Sequence, residues 1–311
     1  MNMQASEQKS INTRREGGNV WLELASPSGQ APEPVADYSY QVLADEQAVG
    51  RAMFDELVSC AGRKKGEVVM VLLGGRGAQA MYRIIADKAA SGEIDHLLAR
   101  LHVFTQDALA PMRMNNGLSF VRDFERLLGD AFFSKVKSFT PMLTESKDIE
   151  GALTDYLGKL ENLGGIDIFF LGLGPEANAA SHLCYIKPGS GARRNDIAGI
   201  IPISGSILDH HVSKFKAGGS TVSEEDEAEC RKATHILTLG PAAILGAGKI
   251  VQSIVDASTA PAKRESFARL IGTRISTDPT ERERQLDENP GLWIRLHPDV
   301  TSFVLPDLLK E

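Results

Sequence analysis

The sequence is poor in cysteine, and the few thiols it has are far apart. Its 311 residues contain three cysteines, Cys60, Cys184 and Cys230, and no CxxC pair. A disulfide framework or a cysteine zinc cluster needs more numerous or more closely spaced thiols, so this pattern argues against both. We interpret the three thiols as buried or incidental side chains.

Long apolar runs are also lacking. No stretch approaches the roughly 20 apolar residues that a membrane-spanning helix needs. The polar residues 1–18 carry no apolar core of the kind that a signal peptide has. We therefore expect a cytoplasmic protein without a membrane partner.

Basic charge is not in excess either. The formal net charge is −7 and the isoelectric point is near 5.6, which gives no overall field for nucleic acid. The basic runs Arg63-Lys64-Lys65 and Arg193-Arg194 are short and are more typical of solvated surface. We expect no nucleic-acid partner.

The sequence does have an ordinary soluble composition, 42% hydrophobic and 24% charged, and a repeated order of strand, glycine turn and helix. The clearest instance is the apolar run Glu67–Leu73, the turn Gly74–Gly77 and a helix to about Ser91. This order is typical of a βαβ unit in a parallel sheet. Further strands are predicted at 101–104, 166–171, 197–203, 233–239, 248–255 and 302–305, and further helices at 44–62, 120–132, 149–163 and 263–271.

Residues 38–311 are therefore predicted to form a single α/β domain of a modified doubly wound, Rossmann-like type, with about seven strands in a mainly parallel sheet. Residues 1–37 form an N-terminal extension, in which we interpret the apolar island Val20–Leu24 as an added edge strand. The polar segment 217–232 is predicted to be a mobile loop followed by a helix, and the charged segment 277–291 a solvated connector.

Candidate catalytic residues follow the carboxyl ends of the predicted strands, where open α/β sheets bind ligands. The most informative stretch is Gly164–Ser181, in which a buried strand runs into a glycine-rich turn that carries Glu176. Asp107 follows another strand, and it could be a base for proton transfer or simply the cap of a turn. His182 could relay a proton, or it could be a packed side chain.

Candidate phosphate contacts also follow a strand end. The turn Gly74-Gly75-Arg76-Gly77 opens a helix, so its backbone N–H groups and the guanidinium could hold an anion. A plain tight turn is the alternative, because the GxGxxG and P-loop patterns are absent. Lys214 and Lys263 are further candidates, although the pattern alone does not separate them from solvated lysines.

A metal site is suggested only by His210-His211 beside Asp209. Adjacent side chains point in different directions on regular elements, so the two imidazoles are poorly placed to share an ion. We therefore predict no metal and no cofactor.

Taken in order, these segments resemble the glucosamine-6-phosphate deaminase and 6-phosphogluconolactonase family over nearly all of Tyr40 to Leu305. The resemblance implies the family fold, a modified doubly wound α/β domain. The segments that carry it are Asp45–Met53, Leu72–Gly75, Ser91–Ile94, Phe104–Asp107, Leu118–Phe120, Phe132-Phe133, Gly165–Gly174, Leu237–Gly240 and Arg295–Val300.

The resemblance implies roles for several candidates. Gly74–Gly77 would hold the sugar phosphate, although the family usually has a Ser or Thr where Arg76 and Gly77 stand. Lys263 matches a family lysine that contacts phosphate, and Lys214 stands where deaminases have an arginine with the same task. Asp107 matches the carboxylate that moves a proton between C1 and C2 in deaminases.

The chain departs from the family in the loop that usually reads Gly-x-Asp-Gly-His. It has Pro175-Glu176-Ala177-Asn178 there, and because asparagine does not titrate near neutral pH, Asn178 can contact a substrate but cannot be an acid or base. The Asn-Glu-Pro-Gly of deaminases appears as Ile186-Lys187-Pro188-Gly189, so Lys187 becomes a candidate contact for a substrate carboxylate.

Three functions stay open. The first is an enzyme that acts on a phosphorylated aldose or amino sugar by isomerase or deaminase proton transfer, with Asp107 as base and Glu176 or His182 helping to open or orient the sugar ring. The second is a lactone hydrolase like 6-phosphogluconolactonase, and the third a non-catalytic sugar-phosphate-binding homologue. In each, the partner is a small-molecule sugar phosphate, and the N-terminal extension could supply contacts for a homo-oligomer.

Overall fold

The computed structural model describes residues 11–25, 38–175, 181–258 and 260–310. The strands are β1 Ile11–Glu16, β2 Asn19–Leu24, β3 Tyr40–Val42, β4 Val68–Leu72, β5 Leu101–Thr105, β6 Asp107–Ala110, β7 Ser138–Thr140, β8 Ile168–Leu171, β9 Gly174–Pro175, β10 Ser181–His182, β11 Asp196–Pro202, β12 His235–Leu239, β13 Lys249–Ile254 and β14 Val300–Val304. The α-helices are α1 Glu46–Arg63, α2 Gln79–Ser91, α3 Asp95–Leu98, α4 Phe120–Phe133, α5 Ile149–Asn162, α6 Gly205–Ala217, α7 Glu224–Cys230, α8 Pro241–Leu245, α9 Ala262–Gly272 and α10 Pro279–Glu288.

The larger sheet is parallel and has seven strands in the order β3-β14-β13-β8-β4-β5-β7. The chain adds β5 and β7 on one side of β4, and then β8, β13 and β14 on the other side. The strand order therefore reverses between β4 and β8, which creates the crevice where open α/β sheets bind ligands. The predicted doubly wound α/β class is confirmed.

Helices cover both faces of this sheet. Alternate residues of β4 point to opposite faces: Val68 and Met70 join one apolar cluster, whereas Val69 joins the other. The first cluster includes residues of α1, α2, α4 and α6, and the second includes residues of α5 and α9. Burial on both faces explains why the sequence of β4 is continuously apolar rather than alternating.

A second, five-stranded sheet was not predicted. Its order is β1-β2-β11-β12-β6 and its pairings are antiparallel. The predicted strands 197–203 and 233–239 belong to this sheet rather than to the parallel one. Apolar periodicity predicts an extended, buried segment but not its pairing partner, so the sequence could not assign β11 and β12 to a separate sheet.

The N-terminal hairpin of β1 and β2 is built into the second sheet. β2, the predicted edge strand, lies one strand inside the edge, and β1 forms the edge itself. Trp21 is fully buried, and a Cβ atom at Gly199 of β11 would come within 2.6 Å of its ring. Arg14 forms an ion pair of 2.7 Å with the buried Asp196 at the start of β11.

The two polar segments both contain a helix. In the segment 217–232, α7 begins at a capping box of Ser223 and Asp226, as the prediction of a loop and a helix requires. The segment 277–291 contains α10 instead of a solvated connector. Asp278 accepts a hydrogen bond from the backbone of Glu281, and Pro279 is the first helical residue. This Asp-Pro pair is a signal for the start of a helix, which we did not use because the segment is so highly charged.

Within the described ranges, the helices are all too short or too polar to cross a membrane.

Candidate active site

A cavity lies at the carboxyl ends of β4, β5, β8 and β13. It is on the side of the parallel sheet where the strand order reverses, as expected for a ligand site in this class of fold. The lining residues are Leu73, Gly74, Gly75, Arg76, Gly77, Gln106, Asp107, Phe120, Gly172, Leu173, Gly174, His182, Cys184, Tyr185, His210, His211, Lys214, Phe215, Ser253, Asp256 and Lys263.

The glycine turn after β4 forms one wall of the cavity. A Cβ atom at Gly74 would lie 2.4 Å from the Phe120 ring, so only glycine fits against this aromatic side chain. Gly75 has a φ of 76°, in the left-handed region that glycine adopts without strain. The carbonyl of Gly77 accepts a hydrogen bond of 2.7 Å from the Ser253 hydroxyl, which ties the turn to β13. The turn is therefore fixed in shape before any ligand binds.

Arg76 lies in the same turn and lines the cavity, but its guanidinium already has a partner. Nη2 of Arg76 lies 2.5 Å from the Glu46 carboxylate at the start of α1. Both side chains are partly exposed, so this ion pair is of the weak, solvated kind. A ligand phosphate would have to compete with Glu46 for the guanidinium.

Two lysines from different helices meet one carboxylate in the cavity. Lys263 of α9 forms a hydrogen-bonded ion pair with Asp256, and Nζ of Lys214 in α6 lies 3.8 Å from Oδ2 of the same residue. Burial opposes ionisation of Asp256, but Lys263 and then Lys214 outweigh it and lower the pKa of this carboxyl. Burial also lowers the pKa of Lys214, and Asp256 partly offsets that effect. The cluster thus contains two ammonium groups and one carboxylate.

Asp107 is a buried carboxyl group in the cavity lining. It follows β5 and begins β6, and only 3% of its surface is exposed. Burial raises the pKa of Asp107 to about 8, while a hydrogen bond with Gln106 opposes part of that shift. No cationic side chain among the described residues forms an ion pair with it. Such a carboxyl can accept or give up a proton near neutral pH.

His182 is held by the short loop that follows it. Its Nδ1 accepts a hydrogen bond of 3.0 Å from the backbone N–H of Tyr185, and the two rings are stacked with centroids 4.2 Å apart. The imidazole lies against Gly174 of the neighbouring strand, where a Cβ atom would be 1.9 Å from Cε1. Burial lowers the pKa of His182 to about 3, with the nearby basic groups adding to the effect.

The adjacent histidines His210 and His211 of α6 both line the cavity but have different surroundings. His210 lines the cavity one helical turn before Lys214, and burial followed by the two lysines lowers its pKa to about 4. Nε2 of His211 donates a hydrogen bond of 2.7 Å to the Leu118 carbonyl, and its ring stacks on Phe215. The described residues contain no group of three or more metal-ligating side chains.

The structure brings most of the predicted site residues together. Gly74, Gly75, Arg76, Gly77, Asp107, His182, Lys214 and Lys263 all line the one cavity. Lys187 is not in the lining, because its Nζ donates a hydrogen bond of 2.7 Å to the Pro202 carbonyl. Glu176 and Asn178 lie outside the described residues.

Sequence reasoning missed two residues of the lining that bear on its chemistry, Tyr185 and Asp256, and it considered His210 only as a metal ligand. Asp256 could have been found, because it stands two residues beyond the end of β13 and the strand-end argument applies to it. No pattern in the sequence singles out Tyr185, whose importance comes from the conformation of its backbone.

Comparisons with known proteins agree with this fold. No family model matches the sequence. The chain is 23% identical over 221 residues to a glucosamine-6-phosphate deaminase of Cutibacterium acnes, covering 71% of this chain and 77% of that protein. It is 23% identical over 245 residues to a glucosamine-6-phosphate deaminase of Halothermothrix orenii, covering 77% of this chain and 86% of that protein.

Among solved structures, the chain is similar to a monomeric glucosamine-6-phosphate deaminase, with a TM-score of 0.69, 16% identity, and 88% of this chain and 99% of that chain covered. It is also similar to the 6-phosphogluconolactonase of Trypanosoma brucei, with a TM-score of 0.62, 15% identity, and 88% and 97% covered. The resemblance inferred from the sequence is confirmed, and at these identities the structural likeness establishes the fold.

Proposed function

We propose that this protein is a sugar-phosphate enzyme of the isomerase or deaminase type, which acts on a phosphorylated aldose or amino sugar. One observation carries the proposal: a buried carboxyl with a pKa of about 8, Asp107, lines the same cavity as a fixed glycine turn and two lysines. Phosphate recognition and proton transfer are the two tasks that such a reaction requires, and the cavity has groups for both.

The phosphate would bind between the glycine turn and the lysines. Backbone N–H groups of Gly75 and Gly77 precede α2, and the amino end of a helix favours an anion. Lys214 and Lys263 supply the countercharge, and Asp256 holds Lys263 in place while the site is empty. Arg76 could join the phosphate if it leaves Glu46.

Asp107 would be the base. When its carboxylate accepts a proton from the carbon next to the sugar carbonyl, the C–H electron pair forms a carbon–carbon double bond and the carbonyl π pair moves to oxygen. Return of that proton to the former carbonyl carbon, with transfer of the hydroxyl proton of the first carbon to the negative oxygen, leaves a carbonyl at the carbon that lost the C–H proton. The step is therefore an internal redox exchange without an external oxidant. A pKa of about 8 makes the Asp107 carboxylate a stronger base than an exposed aspartate.

The test is turnover by the purified protein. We expect glucosamine 6-phosphate, or another phosphorylated aldose offered in parallel, to be converted, and Asp107→Asn to reduce kcat by about 10²–10⁴-fold. Asp55→Asn is the matched control, because Asp55 is an exposed residue of α1 that does not line the cavity. Turnover that survives Asp107→Asn unchanged would remove the proposal.

Lactone hydrolysis is a second candidate, favoured by the same carboxyl. A buried group with a pKa of about 8 can also activate a water molecule for attack on an ester carbonyl. Hydrolysis of 6-phosphogluconolactone, corrected for the spontaneous reaction, would separate the two. A thermal shift with sugar phosphates and no turnover in either assay would indicate the non-catalytic homologue instead. Cytoplasmic location and homo-oligomer formation stay predictions.

A further inference from the structure

The loop of residues 183–186, which follows His182, has an unusual backbone. Cys184 and Tyr185 have φ angles of 49° and 58°, so two consecutive residues with side chains occupy the left-handed region. Side chains disfavour that region because Cβ approaches the following carbonyl, and such residues persist only where the surroundings hold them. Leu183 and Ile186 hold them here by two mutual backbone hydrogen bonds of 2.8 and 3.2 Å.

The loop is also tied to the segment that carries Asp107. The Thr238 hydroxyl donates a hydrogen bond to the Cys184 carbonyl, and the Cys184 thiol donates one of 3.2 Å to Oε1 of Gln106. Gln106 directly precedes Asp107. The strained loop is therefore fixed relative to the proposed base and not only to the neighbouring strand.

The consequence of this backbone is a fixed imidazole. The left-handed turn directs the N–H of Tyr185 at Nδ1 of His182, 3.0 Å away, and stacks the phenol ring on the imidazole at an interplanar angle of 13°. A backbone N–H can only donate, so Nδ1 must be the acceptor. A neutral imidazole with an accepting Nδ1 carries its hydrogen on Nε2.

The surroundings keep that imidazole neutral. His210, Lys263 and Lys187 are the basic groups whose charges act on it, and each disfavours a second proton. Asp107 and Asp256 are the acids among the described residues of the cavity lining, but the first is buried with a raised pKa and the second is paired with Lys263. Burial dominates, so His182 is unsuited to the proton relay that the sequence suggested.

We propose that His182 is a neutral hydrogen-bond donor of fixed tautomer, whose Nε2–H binds the substrate oxygen that becomes negative while Asp107 takes the proton from the adjacent carbon. The assignment rests on the proposed function. His182 transfers no proton: the C–H electron pair forms the carbon–carbon double bond, the carbonyl π pair moves to the oxygen, and the Nε2–H stabilises that negative oxygen by a hydrogen bond. Tyr185 is a positioning residue that acts through His182.

A donor of this kind would lower the barrier because the imidazole is already fixed and needs no reorganisation when charge develops. A neutral imidazole also remains a donor over the whole range in which Asp107 titrates. The pH dependence of the reaction would then belong to Asp107 and not to His182.

The tautomer can be measured on the wild-type protein, and a variant is needed only to assign the signals. In protein labelled with ¹⁵N-histidine, with His182→Gln used to assign the signals, we expect Nε2 of His182 to carry the hydrogen between about pH 5 and pH 9. A hydrogen on Nδ1, or a titration midpoint between about pH 6 and pH 8, would overturn the inference.

Kinetics supply the second readout. His182→Gln keeps an N–H donor and should lower kcat by less than about 10-fold. His182→Phe keeps a flat ring but loses the donor, and it should lower kcat by about 10²–10³-fold. KM should change little in either, and the shape of the pH profile should be that of the wild type. His96→Gln, at an exposed residue of α3, is the matched control. Loss of one limb of the pH profile in His182→Gln would contradict a donor role.

The donor role of His182 can be tested separately from the proposed function. If wild-type protein turns over no sugar phosphate, the proposed function fails, and the donor is then tested by adding glucosamine 6-phosphate to the labelled protein. A shift of the His182 Nε2–H resonance on binding would support the donor. Binding that leaves this resonance unmoved would overturn it.

Discussion

Nζ of Lys214 lies 3.8 Å from Oδ2 of Asp256, so a residue of α6 and a residue that follows β13 meet across the cavity. The other oxygen of the same carboxyl is bound by Lys263, whose side chain is buried. Asp256 thus keeps the charge of a buried lysine paired in the empty site. Its replacement should affect folding and phosphate binding in opposite directions.

Asp256→Asn is expected to lower the free energy of unfolding by about 3 kcal/mol, because it leaves the ammonium of Lys263 buried beside an uncharged amide. Phosphate affinity should not fall, since an anion that competed for the lysines is gone, and added phosphate should restore part of the lost stability. Urea denaturation with and without phosphate measures both effects. Asp299→Asn is the control, because Asp299 is half exposed and its partner Lys249 keeps a second carboxylate, Glu56, at 3.4 Å, so the loss should be about 1 kcal/mol or less. Equal losses in the two variants would contradict the role of Asp256.

Lys214→Ala should weaken binding of a sugar phosphate by about 10-fold, because a charge-assisted hydrogen bond to the phosphate is lost. The loss should shrink as salt is added, since a partly exposed charge is screened. Lys216→Ala is the matched control, because Lys216 lies two residues further along α6 and pairs with Glu227 away from the cavity. Calorimetric titration of both variants with glucosamine 6-phosphate gives the comparison, and equal affinities would argue against a phosphate contact by Lys214.

Gly74→Ala should destabilise the protein by about 1–3 kcal/mol, because the new methyl group overlaps the Phe120 ring and must displace it. The same displacement should distort the turn and weaken phosphate binding. Gly158→Ala, in α5 and with no atom within 4 Å of the added Cβ, should be stabilising by about 0.5–1 kcal/mol. Thermal unfolding of the pair tests the packing argument, which fails if Gly74→Ala is as stable as the wild type.

Asp107 should make stability fall as the pH rises. Its pKa of about 8 in the folded protein is above its value in the unfolded chain, about 3.9, so the folded state binds the proton more tightly. Its stabilising contribution is therefore complete below about pH 4 and is lost as the pH rises through about 8. Between pH 5 and pH 9 the wild type should lose about 4 kcal/mol more than Asp107→Asn, measured by urea denaturation at each pH. Parallel curves for the two proteins would show that the carboxyl is not held at a raised pKa.

Much of the fold could be predicted because each element of the parallel sheet has a local signal. β4 is a continuous apolar run between polar residues, and α2 follows it after the glycine turn, so strand, turn and helix were all readable. The second sheet could not be predicted, because its strands come from distant parts of the chain: β2 pairs with β11 some 180 residues away along the sequence. Pairing at that distance depends on the tertiary structure and leaves no periodic pattern.

The candidate site likewise contains residues that the sequence predicts and residues that it does not predict. Gly74 and Asp107 could be found because the strand-end argument and the family resemblance both point to them, whereas Lys263 could be found from the resemblance alone. The role of His182 was only partly predictable: its presence near the site follows from the sequence, whereas its tautomer depends on the φ angle of Tyr185. Backbone conformation of this kind is disfavoured for residues with side chains, so no sequence rule predicts it.

The most direct test of the account is a crystal structure of the protein soaked with glucosamine 6-phosphate. The account predicts the phosphate between the Gly74–Gly77 turn and the two lysines, with C2 of the sugar within about 3.5 Å of an Asp107 carboxyl oxygen, the distance at which proton transfer begins. A sugar bound with its phosphate elsewhere, or with its carbon chain directed away from Asp107, would contradict it.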